Sequence, residues 1–347
     1  MSARCWFLFI EDAMTNPERQ PFEQVLEALG QADEVSLALL YYLTDLSQEE
    51  KAQFSAYWPT VKVERRRVIV RHLADISEEN FQVDFTDVFA QALGDPSPAV
   101  RAAGLDGLWD CDRVSLIGPV IELARSDPDQ GVRQLAAATL GQFVLLDAWG
   151  QLPEAKVEPA ISALIALLDD ARTPLEVYRA ALESLGPAGH PRVEGFIQRA
   201  YESDDPRLGV SALYAMGRSA DPAWLPIILG EFESPSMEFR REAARAAGAI
   251  GDNEAIEPLV ELIMQKDEDE EVRLAAVGAL GMIETEEGLE ALQLLYDEPD
   301  LEAFQDAIEE AIDGGDFVKD GIAMSMSGWD DEDDWDDELD DDVLPEA

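Results

Sequence analysis

The chain has 347 residues, 47% of them hydrophobic, and its 74 acidic and 25 basic side chains give a formal net charge of -49. Such a charge repels phosphate backbones and anionic bilayers, so it argues against nucleic acid and membranes as partners. Two cysteines, Cys5 and Cys111, are too few for a disulfide framework, which favours a reducing compartment and a cytoplasmic location.

The first predicted helix lies near the N-terminus. Its apolar residues follow the i, i+3, i+4, i+7 spacing of an amphipathic helix: Phe22, Val25, Leu26 and Leu29. An apolar run at 5–10 precedes it, but acidic residues follow that run instead of a signal-peptide cleavage site. Two interpretations remain open. Either translation starts at Met14 and residues 1–13 are not translated or are disordered, or 1–13 is an extension that packs its aromatic side chains on the first helices.

A second helix start is predicted at residues 47–50. Ser47, with Glu50 three residues later, forms a capping-box pattern ahead of the large apolar residues Phe54 and Trp58. We therefore predict an N-terminal helical cap over residues 14–58.

One short sequence motif, here called the phrase, recurs through the rest of the chain. It begins with an acidic or hydroxyl residue, usually followed by proline, and an arginine lies six residues after that first residue. Arginine ends five copies and serine ends a sixth: Arg101, Arg133, Arg179, Ser211, Arg240 and Arg273. An acid can cap free amide donors, and proline suits the first helical position. Each phrase therefore predicts the start of a helix.

Five of the six predicted helices close on a glycine that suits a left-handed cap. These glycines are Gly141, Gly186, Gly217, Gly251 and Gly281. A second amphipathic helix follows, as at 255–263 and 288–295. Because neither helix can bury its apolar stripe alone, we predict an all-α solenoid, an α-α superhelix of about seven helix pairs over residues 59–312.

The Asp-Pro-x-x-x-Val-Arg phrase and the Leu-Gly helix end resemble those of the HEAT-repeat family, in particular its bacterial phycobilisome-lyase-like branch. The resemblance implies a ladder of hydrogen bonds between the acids and arginines of successive repeats. The implied ladder residues are Asp95, Arg101, Asp127, Arg133, Arg179, Arg240, Asp267 and Arg273. The motif is specific for the fold and nearly silent on function.

One interval departs from the repeat length. Arg133 and Arg179 are 46 residues apart, whereas the other intervals run from 29 to 33. We predict an insertion around 145–157, either a longer loop or an extended helix pair. At the other end the chain loses its periodicity, and 11 of the 13 residues from Asp330 to Asp342 are acidic. Residues 313–347 are therefore predicted to be a disordered acidic tail.

Residues suited to catalysis are scarce. Histidine is the commonest acid-base catalyst, and His72 and His190 are the two in the chain. Some HEAT-type proteins are di-iron hydroxylases that hold their metal on repeated His-Glu pairs, but Leu73 and Pro191 follow the histidines here. We therefore predict no catalytic residue, no metal and no cofactor, and a protein that is not an enzyme.

Two features remain as candidate interaction sites. The first is a basic cluster beside Lys62, namely Arg65, Arg66, Arg67 and Arg71, for which the alternative is pairing with acids of the same chain. The second is the tail, where Trp329 and Trp335 lie among carboxylates. Such indoles can anchor in a partner's pocket, whereas the alternative is that the tail only maintains solubility.

The function predicted from sequence is a non-catalytic scaffold or adaptor whose acidic superhelical surface binds a basic protein. Two alternatives stay open. The lyase-like branch suggests an accessory factor or chaperone for attachment of a tetrapyrrole (bilin), and the charge suggests a nucleic-acid mimic that occupies a basic protein.

Overall fold

The computed structural model describes residues 20–31 and 35–314. Eighteen α-helices, linked by short 3-10 turns, run through these residues, and no strand occurs among them. Three predictions concern residues outside this range. They are the interpretation of residues 1–13, the disordered acidic tail, and the interaction role of Trp329 and Trp335.

Three helices open the described chain: α1 (Phe22–Gln31), α2 (Leu37–Leu40) and α3 (Gln48–Tyr57). α1 buries all four residues of its predicted apolar stripe. The capping box is also confirmed, since the amide of Glu50 donates to Ser47 Oγ while the amide of Ser47 donates to Glu50 Oε2 at 2.9 Å.

Two sets of helices alternate over the rest of the chain. Six helices begin at the recurrent phrase, and α4 and α18 hold the same place in the packing, so all eight are called phrase helices. They are α4 (Val63–Glu79), α6 (Pro98–Asp106), α8 (Gln130–Ala148), α10 (Leu175–Leu185), α12 (Pro206–Arg218), α14 (Met237–Ile250), α16 (Glu270–Met282) and α18 (Gln305–Gly314). The companion helices are α5 (Thr86–Ala92), α7 (Ile117–Ser126), α9 (Glu154–Asp169), α11 (Val193–Tyr201), α13 (Leu225–Gly230), α15 (Ile256–Met264) and α17 (Glu286–Tyr296).

Each phrase helix packs on the next phrase helix, so these helices form one continuous layer from α4 to α18. The companion helices lie on one side of this layer. Most of them pack more extensively on the phrase helix that follows than on the one that precedes. The natural repeat unit is thus a companion helix followed by a phrase helix, one helix out of step with the unit predicted from sequence.

Glycine permits the close packing of this layer. A Cβ built on Gly248 would lie 2.6 Å from the Cα of Ala279, and one on Gly217 would lie 2.7 Å from the Cα of Ala246. Of the five glycines predicted as left-handed caps, Gly251 has the positive φ, 73°, that such a cap requires. The prediction is wrong for the other four, because they lie in or directly after a right-handed helix without a positive φ. A Cβ on any of them would lie 2.6–3.0 Å from an atom of a neighbouring helix.

The extra residues between Arg133 and Arg179 lie in two long helices. α8 has 19 residues and α9 has 16, so the inserted residues form an extended helix pair with a short connection. Within the described part of the chain, each helix is too short or too polar to cross a bilayer.

Candidate functional site

The arginines of the phrase helices reach the loop that precedes the next phrase helix. Arg101 Nε and Nη2 donate to the two carboxylate oxygens of Asp127, each at 2.7 Å. Arg101 Nη1 also donates to the carbonyl of Asp95 at 2.8 Å. The side chains of Arg101 and Asp127 are 9% and 3% exposed. One buried, bidentate ion pair therefore joins two successive repeats.

Two further rungs have the same design. Arg240 Nε and Nη2 donate to the carboxylate of Glu268, each at 2.7 Å. Arg66 lies against Asp95, with Nη2 donating to Oδ1 at 3.1 Å. Arg66 is buried, so its assignment to an exposed interaction site is wrong. This pairing could have been predicted from the sequence. In the other two rungs the acid follows the arginine by 26 and 28 residues, and Asp95 follows Arg66 by 29.

The remaining phrase arginines bind other groups. Arg133 donates to the carbonyl of Asp127 at 2.7 Å, and Arg273 donates to the carbonyl of Ile263 at 2.8 Å. The guanidinium of Arg273 also lies 4.1 Å from the ring centroid of Phe304. Glu268, one residue beyond the predicted Asp267, is the acid that contacts an arginine in that loop.

The acid of the phrase does not always cap the helix. Asp205 does so, because it precedes Pro206 and accepts from the amide of Arg207 at 3.0 Å. Asp127 instead accepts from the amide of Asp129, and Asp129 caps α8. The prediction that Asp127 caps α8 is therefore wrong. Its carboxylate holds a turn and the arginine of the preceding repeat together.

The ladder is interrupted where Ser211 replaces an arginine. Arg179 Nε donates to Ser211 Oγ at 2.9 Å, and Ser211 Oγ donates to Glu183 Oε1 at 2.5 Å. Desolvation raises the pKa of Glu183 to about 7, although the hydrogen bond from Ser211 and the charge of Arg179 oppose this shift. Burial also raises the pKa of Glu242 on α14, and its charge acts on Glu183.

The raised pKa of Glu183 predicts a pH effect on stability. Between its ordinary value of 4.5 and about 7, the unfolded chain releases a proton that the folded chain retains, so stability falls as pH rises through this window. Glu183→Gln stays neutral and lacks this fall. We therefore expect the melting temperature of the variant, relative to the wild type, to rise by several degrees across the window. If the melting temperatures of the variant and the wild type change in parallel over that pH range, the raised pKa does not belong to Glu183.

The basic cluster divides into two parts. Arg65 Nε donates to the carbonyl of Leu29 at 2.7 Å and ties α4 to α1, while Arg66 belongs to the ladder. Lys62, Arg67 and Arg71 are exposed on and beside α4.

The companion helices carry an acidic row that sequence reasoning missed. When the companion helices are aligned on their buried residues, four of them have an exposed glutamate at the same position, followed by proline, glycine or alanine. These are Glu158, Glu194, Glu257 and Glu290. On α13 the equivalent residue is the buried Leu225. The signal was the recurrent Glu-Pro dipeptide at 158–159 and 257–258.

Metal-binding side chains are not brought together. His72 Nδ1 lies 3.6 Å from Asp75, and His190 Nδ1 accepts from the amide of Arg192 at 3.2 Å. Within residues 20–31 and 35–314, no group of three or more His, Cys, Asp or Glu side chains is placed to hold a metal. The described residues therefore do not fit a di-iron centre built on His-Glu pairs.

A family model described as HEAT repeats matches residues 86–175 and 225–313. Both matched segments begin where a companion helix begins, at Thr86 and Leu225. This agrees with the repeat unit seen in the helix packing.

Curated relatives include deoxyhypusine hydroxylases. The Homo sapiens enzyme is 31% identical over 104 residues, 29% of this chain and 34% of that protein. The Phaeosphaeria nodorum enzyme is 30% identical over 155 residues, 42% of this chain and 46% of that protein. The matched region thus spans less than half of either relative.

These relatives contradict the prediction that the chain is not an enzyme, because the proteins it matches by sequence are named as enzymes. The prediction relied on the residues that follow two histidines, whereas the similarity extends over several repeats.

Among solved structures, the complex of CpcE and CpcF of phycocyanin lyase from Nostoc sp. PCC7120 aligns with a TM-score of 0.50 and 18% identity. The alignment covers 82% of this chain and 96% of that chain. At this identity the likeness supports the solenoid fold and leaves the bacterial lyase-like branch unconfirmed.

Proposed function

The chain belongs to the HEAT-repeat family, and we propose that it is a cytoplasmic scaffold that binds a basic protein through the companion-helix face. The acidic row carries this proposal. Repetition places Glu158, Glu194, Glu257 and Glu290 at one position of four companion helices, the neighbours α9 and α11 and the neighbours α15 and α17, all exposed. A charge repeated on neighbouring helices suits an extended basic segment.

The two helix layers differ in how their charges are used. On the phrase helices, Arg101, Arg240 and Arg207 are bound to carboxylates of the chain. The acidic block from Asp330 to Asp342 holds 11 of the 74 acids, so most of the negative charge lies elsewhere in the chain. The companion-helix face is therefore available to attract a basic partner and to raise its association rate.

The experiment neutralises the row and compares it with a matched set. One variant carries Glu→Gln at 158, 194, 257 and 290, and the control changes four exposed acids of the phrase helices to amides: Glu64, Glu238, Glu270 and Asp313. Binding of a labelled lysine- and arginine-rich peptide is measured by fluorescence anisotropy at two salt concentrations.

We expect the row variant to bind about tenfold more weakly, since each exposed ion pair contributes about 0.2–1 kcal/mol. The control variant has the same net charge but should lose much less affinity. If both variants lose the same affinity, net charge alone explains the binding and the acidic row is not the site. An affinity insensitive to salt would reject it altogether.

The curated relatives favour a second candidate function, that of a deoxyhypusine hydroxylase. Its test supplies the purified chain with ferrous iron, oxygen and a protein that carries deoxyhypusine, and follows the mass of that protein. A gain of one oxygen atom that requires the chain would assign this activity. An unchanged mass, in an assay where the human enzyme is active, would reject it.

A further inference from the structure

The last companion helix leaves an apolar flank uncovered. On α17, Leu289 is 42% exposed and Tyr296 is 37% exposed. The helix packs on α15, on α16 and on α18. Leu289 and Tyr296 are seven residues apart, two helical turns, so they share one side of α17.

The preceding companion helix shows what covers this flank elsewhere. Residues 255–259 (Ala-Ile-Glu-Pro-Leu) align with residues 288–292 (Gly-Leu-Glu-Ala-Leu), which places Ile256 at the position of Leu289 and Ile263 at that of Tyr296. Ile263 is 0% exposed, and Ile256 is partly buried. α15 is followed by another companion helix, and α17 is the last one described. The exposed flank thus corresponds to a position that a further helix would cover.

The sequence after α18 continues the repeat. Gly248, Gly281 and Gly314 are separated by 33 residues each. The same 33-residue step relates the two flank positions to residues beyond the described range. The first position is Ile256, then Leu289, then Ile322, and the second is Ile263, then Tyr296, then Trp329. Val318, Ile322, Met326 and Trp329 also follow a helical i, i+4, i+8, i+11 spacing.

We propose that residues 317–329 dock on the Leu289 and Tyr296 flank of α17 as the terminal cap of the solenoid. The occupant is the chain's own segment because only Gly315 and Asp316 separate it from α18, and short connections of this length are usual between helices. Terminal repeats need such a cap, since an open end exposes the apolar interface that each repeat offers to the next.

Trp329 is the last residue of this segment, and the acidic block with Trp335 follows it in the sequence. Of the two tail tryptophans, Trp329 is therefore the one assigned to the chain's own cap.

The test measures hydrogen exchange in α17 by mass spectrometry on the full-length chain. Ile322→Ser and Trp329→Ser should each speed exchange at residues 286–296 by about tenfold or more, because each removes a buried apolar contact. Ala323→Ser is the control, since residue 323 is equivalent to the exposed Glu290. It should leave the exchange unchanged. A chain that ends at Trp329 should match the full-length protein, whereas one that ends at Asp316 should lose protection.

Two outcomes would overturn the proposal. The first is equal protection of α17 in the chains that end at Asp316 and at Trp329. The second is a full-length protein that sediments as a dimer and loses α17 protection on dilution, which would assign the flank to a second copy. A Leu289→Ser and Ile322→Ser double variant separates contact from general damage, because its exchange should not exceed that of either single variant.

Discussion

Arg101→Ala is expected to destabilise the protein by about 3–5 kcal/mol, because it leaves the carboxylate of Asp127 buried without its partner. The guanidinium is bidentate to Asp127 and also binds the carbonyl of Asp95, so two repeats lose their connection at once. Urea unfolding, followed by circular dichroism, measures the loss.

Arg133→Ala is the matched control for this prediction. Arg133 holds the same place in the next phrase but binds backbone carbonyls instead of a carboxylate, so its loss should cost about 1 kcal/mol. A variant with Arg101→Met and Asp127→Leu removes both charges and should recover much of the stability. If Arg101→Ala and Arg133→Ala cost the same, the buried ion pair is not what joins these repeats.

The helices were predictable because their signals are local. The capping box at Ser47 and the apolar stripe of α1 depend on residues within one or two turns, and both are found as predicted. The ladder partners depend on the offset between neighbouring repeats, which is a tertiary quantity. A difference of one residue in a loop therefore selects Glu268 over Asp267.

The phase of the repeat was harder to read for a similar reason. The phrase marks the most conspicuous helix start, so the sequence suggested that the unit begins there. Packing instead joins most companion helices mainly to the following phrase helix, and nothing in one repeat alone encodes this choice. The acidic row was missed because only comparison of equivalent companion helices shows that Glu158 and Glu257 occupy the same position.

The catalytic prediction failed on different grounds. A search for His-Glu pairs tests for one known site, whereas the similarity to deoxyhypusine hydroxylases extends over 104 to 155 residues. The fold and the ladder follow from spacing and packing. The reaction class depends on particular side chains, and the solenoid can carry many different sets of them.

Gly248→Ala is expected to lower the free energy of unfolding by about 1–3 kcal/mol, although alanine is the better helix former. The added Cβ would lie 2.6 Å from the Cα of Ala279 and 2.8 Å from its carbonyl oxygen. These are backbone atoms of α16, so they cannot rotate away. Relief requires α14 and α16 to separate, which weakens packing along both helices.

Gly278→Ala, on the exposed side of α16, is the matched control with the opposite expected sign. A Cβ at Gly278 meets no atom within 4 Å, so the substitution changes only helix propensity. It should raise the free energy of unfolding by about 0.5–1 kcal/mol. Urea unfolding of both variants under the same conditions checks the pair. If Gly248→Ala stabilises the protein as Gly278→Ala does, the phrase helices are not packed closely enough to require glycine. The 33-residue step from Gly248 to Gly281 would then have no physical basis in the contact between neighbouring repeats.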